Sequence, residues 1–183
     1  MGLPLTTRPL TPLIHPPLKI KMDLVNFHNW RKDSSFHFLM IDGAGKGNPG
    51  AARGGGVIYT LGEDPILKFA WGLGNTMNNQ AESLALLQGL KSLLNLGIMK
   101  ARFLRDLQTL IGFMVNGMLP SDNILGKTVI RICSLAQAFH ELSFFHVLQA
   151  LNEDADQQAN LVVGLELGEL RIDDLPSEKL PLP

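Results

Sequence analysis

Short apolar runs in the first half of the chain predict a three-stranded meander. The runs lie at Ser35–Asp42, Arg53–Thr60 and Ile66–Leu73, and they are separated by glycine, proline and polar residues, as turns require. The glycine triplet Gly54–Gly56 would weaken the second strand unless another element packs closely over it.

From Asn78 the apolar positions recur with the period of a helix, which ends near Gly97. Its apolar side is formed by leucines, namely Leu84, Leu86, Leu87, Leu90, Leu93 and Leu94. Its opposite side is polar and consists of Gln88, Lys91, Ser92 and Asn95. The pattern therefore predicts one long helix whose leucines face a core.

The rest of the chain alternates between short apolar runs and helical stretches. We predict strands at Ala101–Arg105 and Leu142–Leu148, helices at Asp106–Gly117 and Asn123–His140, and a final helix from Asn152. A meander followed by alternating helices and strands is typical of an α/β fold, here with a mixed sheet flanked by helices.

The composition is that of a globular protein with a substantial core. The 183 residues are 45% hydrophobic and 18% charged. Lys and Arg number 16 and Asp and Glu number 17, so the net charge is -1. This balance argues against binding nucleic acid by charge alone, although bound cations could supply the missing positive charge. The longest uncharged apolar stretch is short and interrupted by glycine and proline, so we expect no membrane span.

The single cysteine and the two ends of the chain add expectations about context. Because Cys133 is the only cysteine, an internal disulfide is ruled out, and a reducing intracellular compartment is favoured. This compartment is expected to be the nucleus or the cytoplasm, with an organelle as the alternative. Residues 1–34 are rich in proline and are expected to form an N-terminal extension or linker, with a transit peptide as the less favoured alternative. Residues 166–183 are expected to form an acidic, loosely ordered tail.

Asp42 ends an apolar strand and precedes a glycine-rich stretch. One explanation is a surface turn, and the other is a site where the acid holds a metal and bare backbone approaches a phosphate. Glu82 lies near the start of the predicted helix and leans to its core side with Leu86 and Gly89. That position is costly unless a cation, hydrogen bonds or the helix dipole compensates. A glutamate that reaches solvent from a frayed helix end is the alternative.

Two more acids lie at the ends of predicted elements. Asp106 lies between a strand and a helix, and Asp156 lies near the start of the final helix. Taken singly, each is an ordinary helix-capping or dipole-complementing acid. Taken with Asp42 and Glu82, they occupy strand and helix ends that could meet at one edge of the sheet. A carboxylate cluster of this kind suits Mg²⁺ or Mn²⁺ and can hold two ions for phosphoryl transfer.

Three stretches of the chain resemble landmarks of the ribonuclease H superfamily, namely Asp42–Gly50 (DGAGKGNPG), Asn78–Leu90 (NNQAESLALLQGL) and His146–Asn160 (HVLQALNEDADQQAN). The resemblance is closest to the reverse-transcriptase-like branch, which is derived from retroelements and abundant in plants, and it covers about residues 36–165. It implies a ribonuclease H-like domain at residues 35–165 with a five-stranded mixed sheet in the order 3-2-1-4-5.

The resemblance also implies a function. The family implies an Mg²⁺-dependent endonuclease that hydrolyses the RNA strand of RNA/DNA hybrids, so the expected cofactor is two Mg²⁺ or Mn²⁺ ions and the expected partner is the hybrid. The implied catalytic and metal-binding residues are Asp42, Glu82, Asp106 and Asp156. The implied nucleic-acid-binding residues are Gly43, Asn48, Asn78, Asn79 and Gln80. A larger polyprotein or assembly could contain the domain.

The chain departs from the family pattern next to one of these acids. Where the family reads Gly-Asp-Ser, this chain has Arg105, Asp106 and Leu107. The histidine-bearing loop of cellular ribonucleases H and the basic substrate-gripping insertion of some relatives are also missing, and His146 is interpreted as a structural strand residue. These departures favour a second hypothesis, in which a weakly active or inactive domain serves as a nucleic-acid-binding or protein-interaction scaffold. The retained acids favour the enzyme.

Overall fold

The computed structural model of the chain describes residues 18–19, 24–32, 36–47, 50–60, 65–76, 78–104, 123–146, 169–172 and 178–179. The strands in this part of the chain are β1 (Leu18–Lys19), β2 (His37–Gly47), β3 (Gly50–Tyr59), β4 (Pro65–Thr76), β5 (Lys100–Leu104), β6 (Glu141–His146), β7 (Glu169–Ile172) and β8 (Glu178–Lys179). The helices are α1 (Leu24–Lys32), α2 (Asn78–Asn95) and α3 (Asn123–Ala136). The helices predicted at Asp106–Gly117 and from Asn152 lie outside the described residues.

The strands form one mixed sheet in the order β1-β6-β5-β2-β3-β4-β7-β8. Strands β2, β3 and β4 form the predicted antiparallel meander, while β5 lies parallel to β2 and β6 lies parallel to β5. Numbered from β2 onward in chain order, the central strands follow the order 3-2-1-4-5. The predicted fold class is therefore confirmed.

Three short strands outside this centre were not predicted. Strand β1 pairs in parallel with β6, β7 pairs antiparallel with β4, and β8 pairs with β7. Leu170 of β7 is only 2% exposed and belongs to the main core. Loose order was therefore the wrong expectation for Glu169–Ile172, because the edge of β4 offers backbone partners and the core accepts an apolar side chain. The division of the chain at residues 34 and 166 stays a prediction.

Both faces of the sheet are buried, which explains the unbroken apolar run in β2. Leu39 and Ile41 belong to the core between the sheet and helices α2 and α3. Phe38 and Met40 alternate with them and belong to a second core on the opposite face, which helix α1 covers through Phe27. The alternation expected of a one-sided strand is absent because each neighbour in sequence enters a different core.

Helix α2 lies directly on the sheet because glycines remove the side chains that would separate them. A Cβ added at Gly54 would lie 3.1 Å from Ala85 Cβ and 3.5 Å from the Ala81 carbonyl oxygen. A Cβ added at Gly89 would lie 2.7 Å from Leu39 Cδ2. The close packing that a strand containing Gly54 calls for is thus provided by α2. The helix ends at Asn95, near the predicted end, and is followed by Gly97, whose φ of 74° belongs to the left-handed region.

On the opposite face, α1 is attached to the sheet by an arginine surrounded by aromatic rings. The Arg102 guanidinium lies 4.5 Å from the ring centroid of Phe36, 5.2 Å from Trp30 and 5.5 Å from Phe145. We call these three rings and Arg102 the Arg102 cage. Trp30 also meets Phe145 edge-on at 5.3 Å. Because Arg102 belongs to β5 and Trp30 to α1, cation–π attraction and ring packing together hold the helix on the sheet.

The polar side predicted for α2 is not all exposed. Gln88 and Ser92 are 4% and 3% exposed, whereas Asn95 is exposed as expected. Helix α3 packs against α2, and β7 brings apolar side chains to the same region. Two elements distant in sequence therefore cover part of a surface that the helical pattern assigns to solvent. None of the helices in the described part of the chain combines the length and the hydropathy that crossing a bilayer requires.

Candidate active site

Asp42 lies within β2, at the part of the strand that pairs with the glycines of β3. Its backbone is opposite Gly55, and the backbone of Gly43 is opposite Gly54. Strand β2 continues to Gly47, beyond the end that the apolar run predicts. Asp42 is therefore not at a free strand tip but inside a paired hairpin, which rules out a simple surface turn at this position.

Glu82 lies in the second turn of α2 and is partly buried. Its neighbour Ala81 has its carbonyl oxygen 3.5 Å from the position of a Cβ on Gly54, so this turn of the helix lies over the β2–β3 hairpin. Gly54 pairs with Gly43, which directly follows Asp42. The fold thus brings the backbone segments that carry Asp42 and Glu82 to the same place.

The parallel strands β5 and β6 end near this place, beside the middle of β2. Met40 of β2 lies opposite Leu104 of β5, and Leu104 lies opposite Phe145 of β6. The neighbouring and parallel arrangement of β2 and β5, which the convergence of acids requires, is present. Carboxyl ends of parallel strands are where ligand sites form in many α/β folds.

The remaining two acids fall outside the described residues. Asp106 follows the end of β5, and Asp156 follows β6 in the chain. Among the side chains that the structure describes, no group of three or more His, Cys, Asp or Glu residues is close enough to hold a metal ion. The convergence of all the predicted carboxylates on one point stays a prediction.

The candidate nucleic-acid-binding residues fall mostly in the same region. Gly43 lies in β2 opposite Gly54, and Asn78, Asn79 and Gln80 form the first turn of α2. Gln80 is buried, and its carbonyl oxygen accepts a hydrogen bond from Ser83 Oγ at 2.8 Å. That hydrogen bond lies within α2 and ties its first turn to its second. Asn48 lies outside the described residues.

The described titratable side chains add no second catalytic group. Burial lowers the pKa of His37, the first residue of β2, which precedes Asp42 on the same strand. Burial raises the pKa of the Cys133 thiol to about 11, so this cysteine is neutral and unreactive at neutral pH.

Comparison with known proteins supplies the family. A sequence model of the family described as reverse transcriptase-like matches residues 40–162, which include every candidate acid. The chain belongs to the reverse transcriptase-like family of ribonuclease H domains. The stretches that predicted this family, around Asp42, Asn78 and Asn152, lie within the matched residues.

Relatives of this ribonuclease H domain occur in bacteria, archaea and plants. The chain is 31% identical over 123 residues to a bifunctional protein of Mycobacterium tuberculosis, a match that covers 67% of this chain and 34% of that protein. It is 31% identical over 120 residues to ribonuclease HI of Halobacterium salinarum, covering 66% of this chain and 60% of the relative. A putative ribonuclease H protein of Arabidopsis thaliana is 29% identical over 136 residues, covering 74% and 22%. The chain thus spans about a third of the mycobacterial relative.

Solved structures of ribonucleases H share the fold. RNase H1 of Halobacterium salinarum superposes with a TM-score of 0.65 at 29% identity, covering 70% of this chain and 98% of that chain. LC11-RNase H1, solved in complex with an RNA/DNA hybrid, superposes with a TM-score of 0.62 at 25% identity, covering 68% and 94%. These proteins are nearly covered from end to end, so the additional residues of this chain lie outside the shared domain.

Sequence reasoning missed the elements that surround the family domain. Helix α1 and strands β1, β7 and β8 all lie outside residues 40–162. The signal for α1 was the pair Phe27 and Trp30, spaced to lie on one side of a helix. Trp30 belongs to the Arg102 cage, so this pair did mark a helix that packs on the sheet, although the proline-rich sequence around it suggested a linker.

Proposed function

We propose that this protein is a ribonuclease H that hydrolyses the RNA strand of RNA/DNA hybrids with the help of divalent metal ions. Membership of the family and the shared fold of a relative solved with a hybrid support the activity. The observation that carries the proposal is the contact of α2 with Gly54, because it brings the turn bearing Glu82 onto the hairpin bearing Asp42.

The proposed metal site consists of Asp42, Glu82, Asp106 and Asp156. Carboxylate oxygens are the ligands that Mg²⁺ and Mn²⁺ prefer, so the chemistry of this set fits these metals. Bound there, two ions would supply positive charge to the phosphodiester and to the developing negative charge of the reaction. A net charge of -1 makes such cations necessary, since the protein itself has no basic excess to offset phosphates.

The residues around the acids would position the substrate. The glycines that follow Asp42 in the sequence, Gly43, Gly45 and Gly47, carry no side chain that would keep a nucleic acid strand away from the backbone. The first turn of a helix presents backbone N–H groups and the positive end of the helix dipole, both of which attract a phosphate, and the first turn of α2 would contribute in this way. The choice of RNA over DNA would depend on recognition of the 2′-hydroxyl next to the scissile phosphate.

A hybrid-cleavage assay tests the proposal. A hybrid with end-labelled RNA should be cut in Mg²⁺ and left intact in EDTA, while duplex DNA of the same sequence should stay intact in both. Asp42→Asn and Glu82→Gln should each abolish cleavage and leave the melting temperature unchanged or slightly higher, since each removes one of several like charges. Glu141→Gln removes an exposed acid from β6 and serves as the matched control that keeps wild-type cleavage.

Several results would contradict the proposal. Cleavage that persists in Asp42→Asn would remove this acid from the catalytic set, and equal cutting of hybrid and duplex DNA would indicate a different nuclease. If wild-type protein cuts no hybrid in either Mg²⁺ or Mn²⁺, the scaffold hypothesis replaces the enzyme. Titration of the hybrid into the same protein then distinguishes a nucleic-acid-binding scaffold from one that binds protein.

A further inference from the structure

A pocket of about 330 Å³ lies on the outer side of α2, where the helix meets α3 and β7. Its apolar walls come from three elements and consist of Leu94, Leu135, Leu170 and Ile172. The β7 side chains come from a segment outside the residues that match the family. The pocket is therefore a feature of this chain and not of the shared domain.

A glutamine that lines the pocket has an amide oxygen with no hydrogen-bond partner among the described residues. Gln88 lines the pocket and is 4% exposed, and within the described part of the chain its Oε1 atom accepts no hydrogen bond. Its Nε2 atom donates to Ser92 Oγ at 3.3 Å, which fixes the amide by one end only. A buried acceptor without a donor is costly, so a ligand that donates to Oε1 would remove an existing penalty.

A cation lies beside this acceptor. Lys91 also lines the pocket and is one helical turn from Gln88, so their Cβ atoms are neighbours on the α2 surface. Burial and the positive charge of Arg131 on α3 both lower the pKa of Lys91. The two cations repel each other, and an anion in the pocket would relieve that repulsion.

We propose that this pocket binds a small aliphatic carboxylate that carries a hydrogen-bond donor on the carbon next to its carboxylate, as an N-acylated leucine does. The carboxylate pairs with Lys91, the adjacent N–H donates to Gln88 Oε1, and the aliphatic group packs among the leucine and isoleucine side chains. This binding is independent of hybrid cleavage.

Titration of N-acetyl-leucine into the full chain tests the inference, with backbone amides of α2 and β7 followed by NMR. We expect saturable shifts at residues 88–95 and 170–172 with a Kd on the order of 1 mM, as a ligand of this size allows. N-acetyl-leucinamide lacks the charge and 4-methylpentanoate lacks the donor. Each should bind about tenfold or more weakly.

Two variants and one matched control separate specific binding from general attraction. Lys91→Met should weaken binding at least about tenfold, whereas Lys127→Met removes an equal charge from an exposed position on α3 and should leave Kd unchanged. Gln88→Met should weaken binding several-fold while the melting temperature stays the same or rises, because the buried acceptor is gone. That combination shows that the variant is folded.

The inference is overturned if N-acetyl-leucine causes no saturable shifts, or if the shifts lie outside the pocket. It is also overturned if N-acetyl-leucinamide binds as well as N-acetyl-leucine, or if Lys91→Met and Lys127→Met weaken binding equally. A Gln88→Met protein that loses stability and keeps its affinity would assign Gln88 to folding alone.

Discussion

Replacing Gly54 by alanine should separate α2 from the hairpin that carries Asp42. The added Cβ would lie 3.1 Å from Ala85 Cβ and 3.3 Å from Leu73 Cδ1, where ordinary contacts are 3.4 Å or longer. The Leu73 methyl group can rotate away. Ala85 Cβ is fixed to the helix backbone, so α2 itself must retreat by about 0.3 Å.

The expected loss of stability follows from two opposing terms. Overpacking of a well-packed core costs about 1–3 kcal/mol. Replacing glycine by alanine also lowers the conformational entropy of the unfolded chain, which stabilises the folded protein by about 0.4–1 kcal/mol. The net loss of about 1–2 kcal/mol should lower the melting temperature by about 2–8 °C for a chain of this length. Cleavage of the hybrid should fall several-fold or more, because a misplacement of about 1 Å costs on the order of a hundredfold.

Gly97→Ala is the matched control for this variant. Gly97 has a φ of 74° and no atom within 4 Å of an added Cβ, so alanine there strains only the backbone, by about 1–2 kcal/mol. Both variants should melt lower than wild type, and only Gly54→Ala should lose cleavage at a temperature where both are folded. An unchanged melting temperature for Gly54→Ala would refute the close packing. Equal cleavage by the two variants would refute the link between that packing and the site.

Three further predictions concern other parts of the molecule. A Cβ at Gly56 would lie 2.4 Å from the Phe69 ring, so Gly56→Ala should strongly destabilise the protein. In a double-mutant cycle measured by urea unfolding, adding Phe69→Leu should restore about 1 kcal/mol or more of that lost stability. Additive effects of the two substitutions would contradict the contact. Burial raises the Cys133 pKa from 9.0 to about 11, so the thiol ionises in the unfolded state at a lower pH than in the folded state. The free energy of unfolding should therefore fall from about pH 9 through pH 11 in wild type but not in Cys133→Ala. An equal change in the free energy of urea unfolding for the two proteins between about pH 8 and pH 10.5 would contradict this. Arg105→Gly with Leu107→Ser should raise cleavage and lower the Mg²⁺ requirement, because an Arg105 guanidinium turned to within about 4 Å of the Asp106 carboxylate would oppose metal binding by up to about 4 kcal/mol. An unchanged Mg²⁺ titration would show that Arg105 does not interfere.

The centre of the fold could be predicted because its signals are local. The leucines of α2 and the short runs of β2, β3 and β4 each specify their element within a few residues, and Gly54 indicated that something must pack over β3. The same local signals placed Glu82 on the side of α2 that faces the sheet. Its proximity to the Asp42 hairpin followed from the predicted strand order.

The additions to the fold could not be predicted because their partners are distant in sequence. Helix α1 depends on Arg102 of β5, and β7 depends on an edge provided by β4. Neither segment has a strong pattern of its own, so its stability comes from contacts that a window of neighbouring residues does not contain. Gln88 shows the same limit, since a polar side chain on a helix surface was buried by elements from elsewhere in the chain.

The outer strands of the sheet also bear on how this protein behaves at high concentration. Without β7 and β1, the edges of β4 and β6 would present rows of unpaired N–H and C=O groups, which recruit strands from other molecules. In the described chain the sheet ends instead in β1 and β8, each of two residues, a length too short to template another strand. A protein trimmed to residues 36–162, which keeps all of β2 and the part that matches the family, would retain the catalytic candidates and lose both β1 and β7. Aggregation, and not loss of chemistry, is the failure that such trimming would bring.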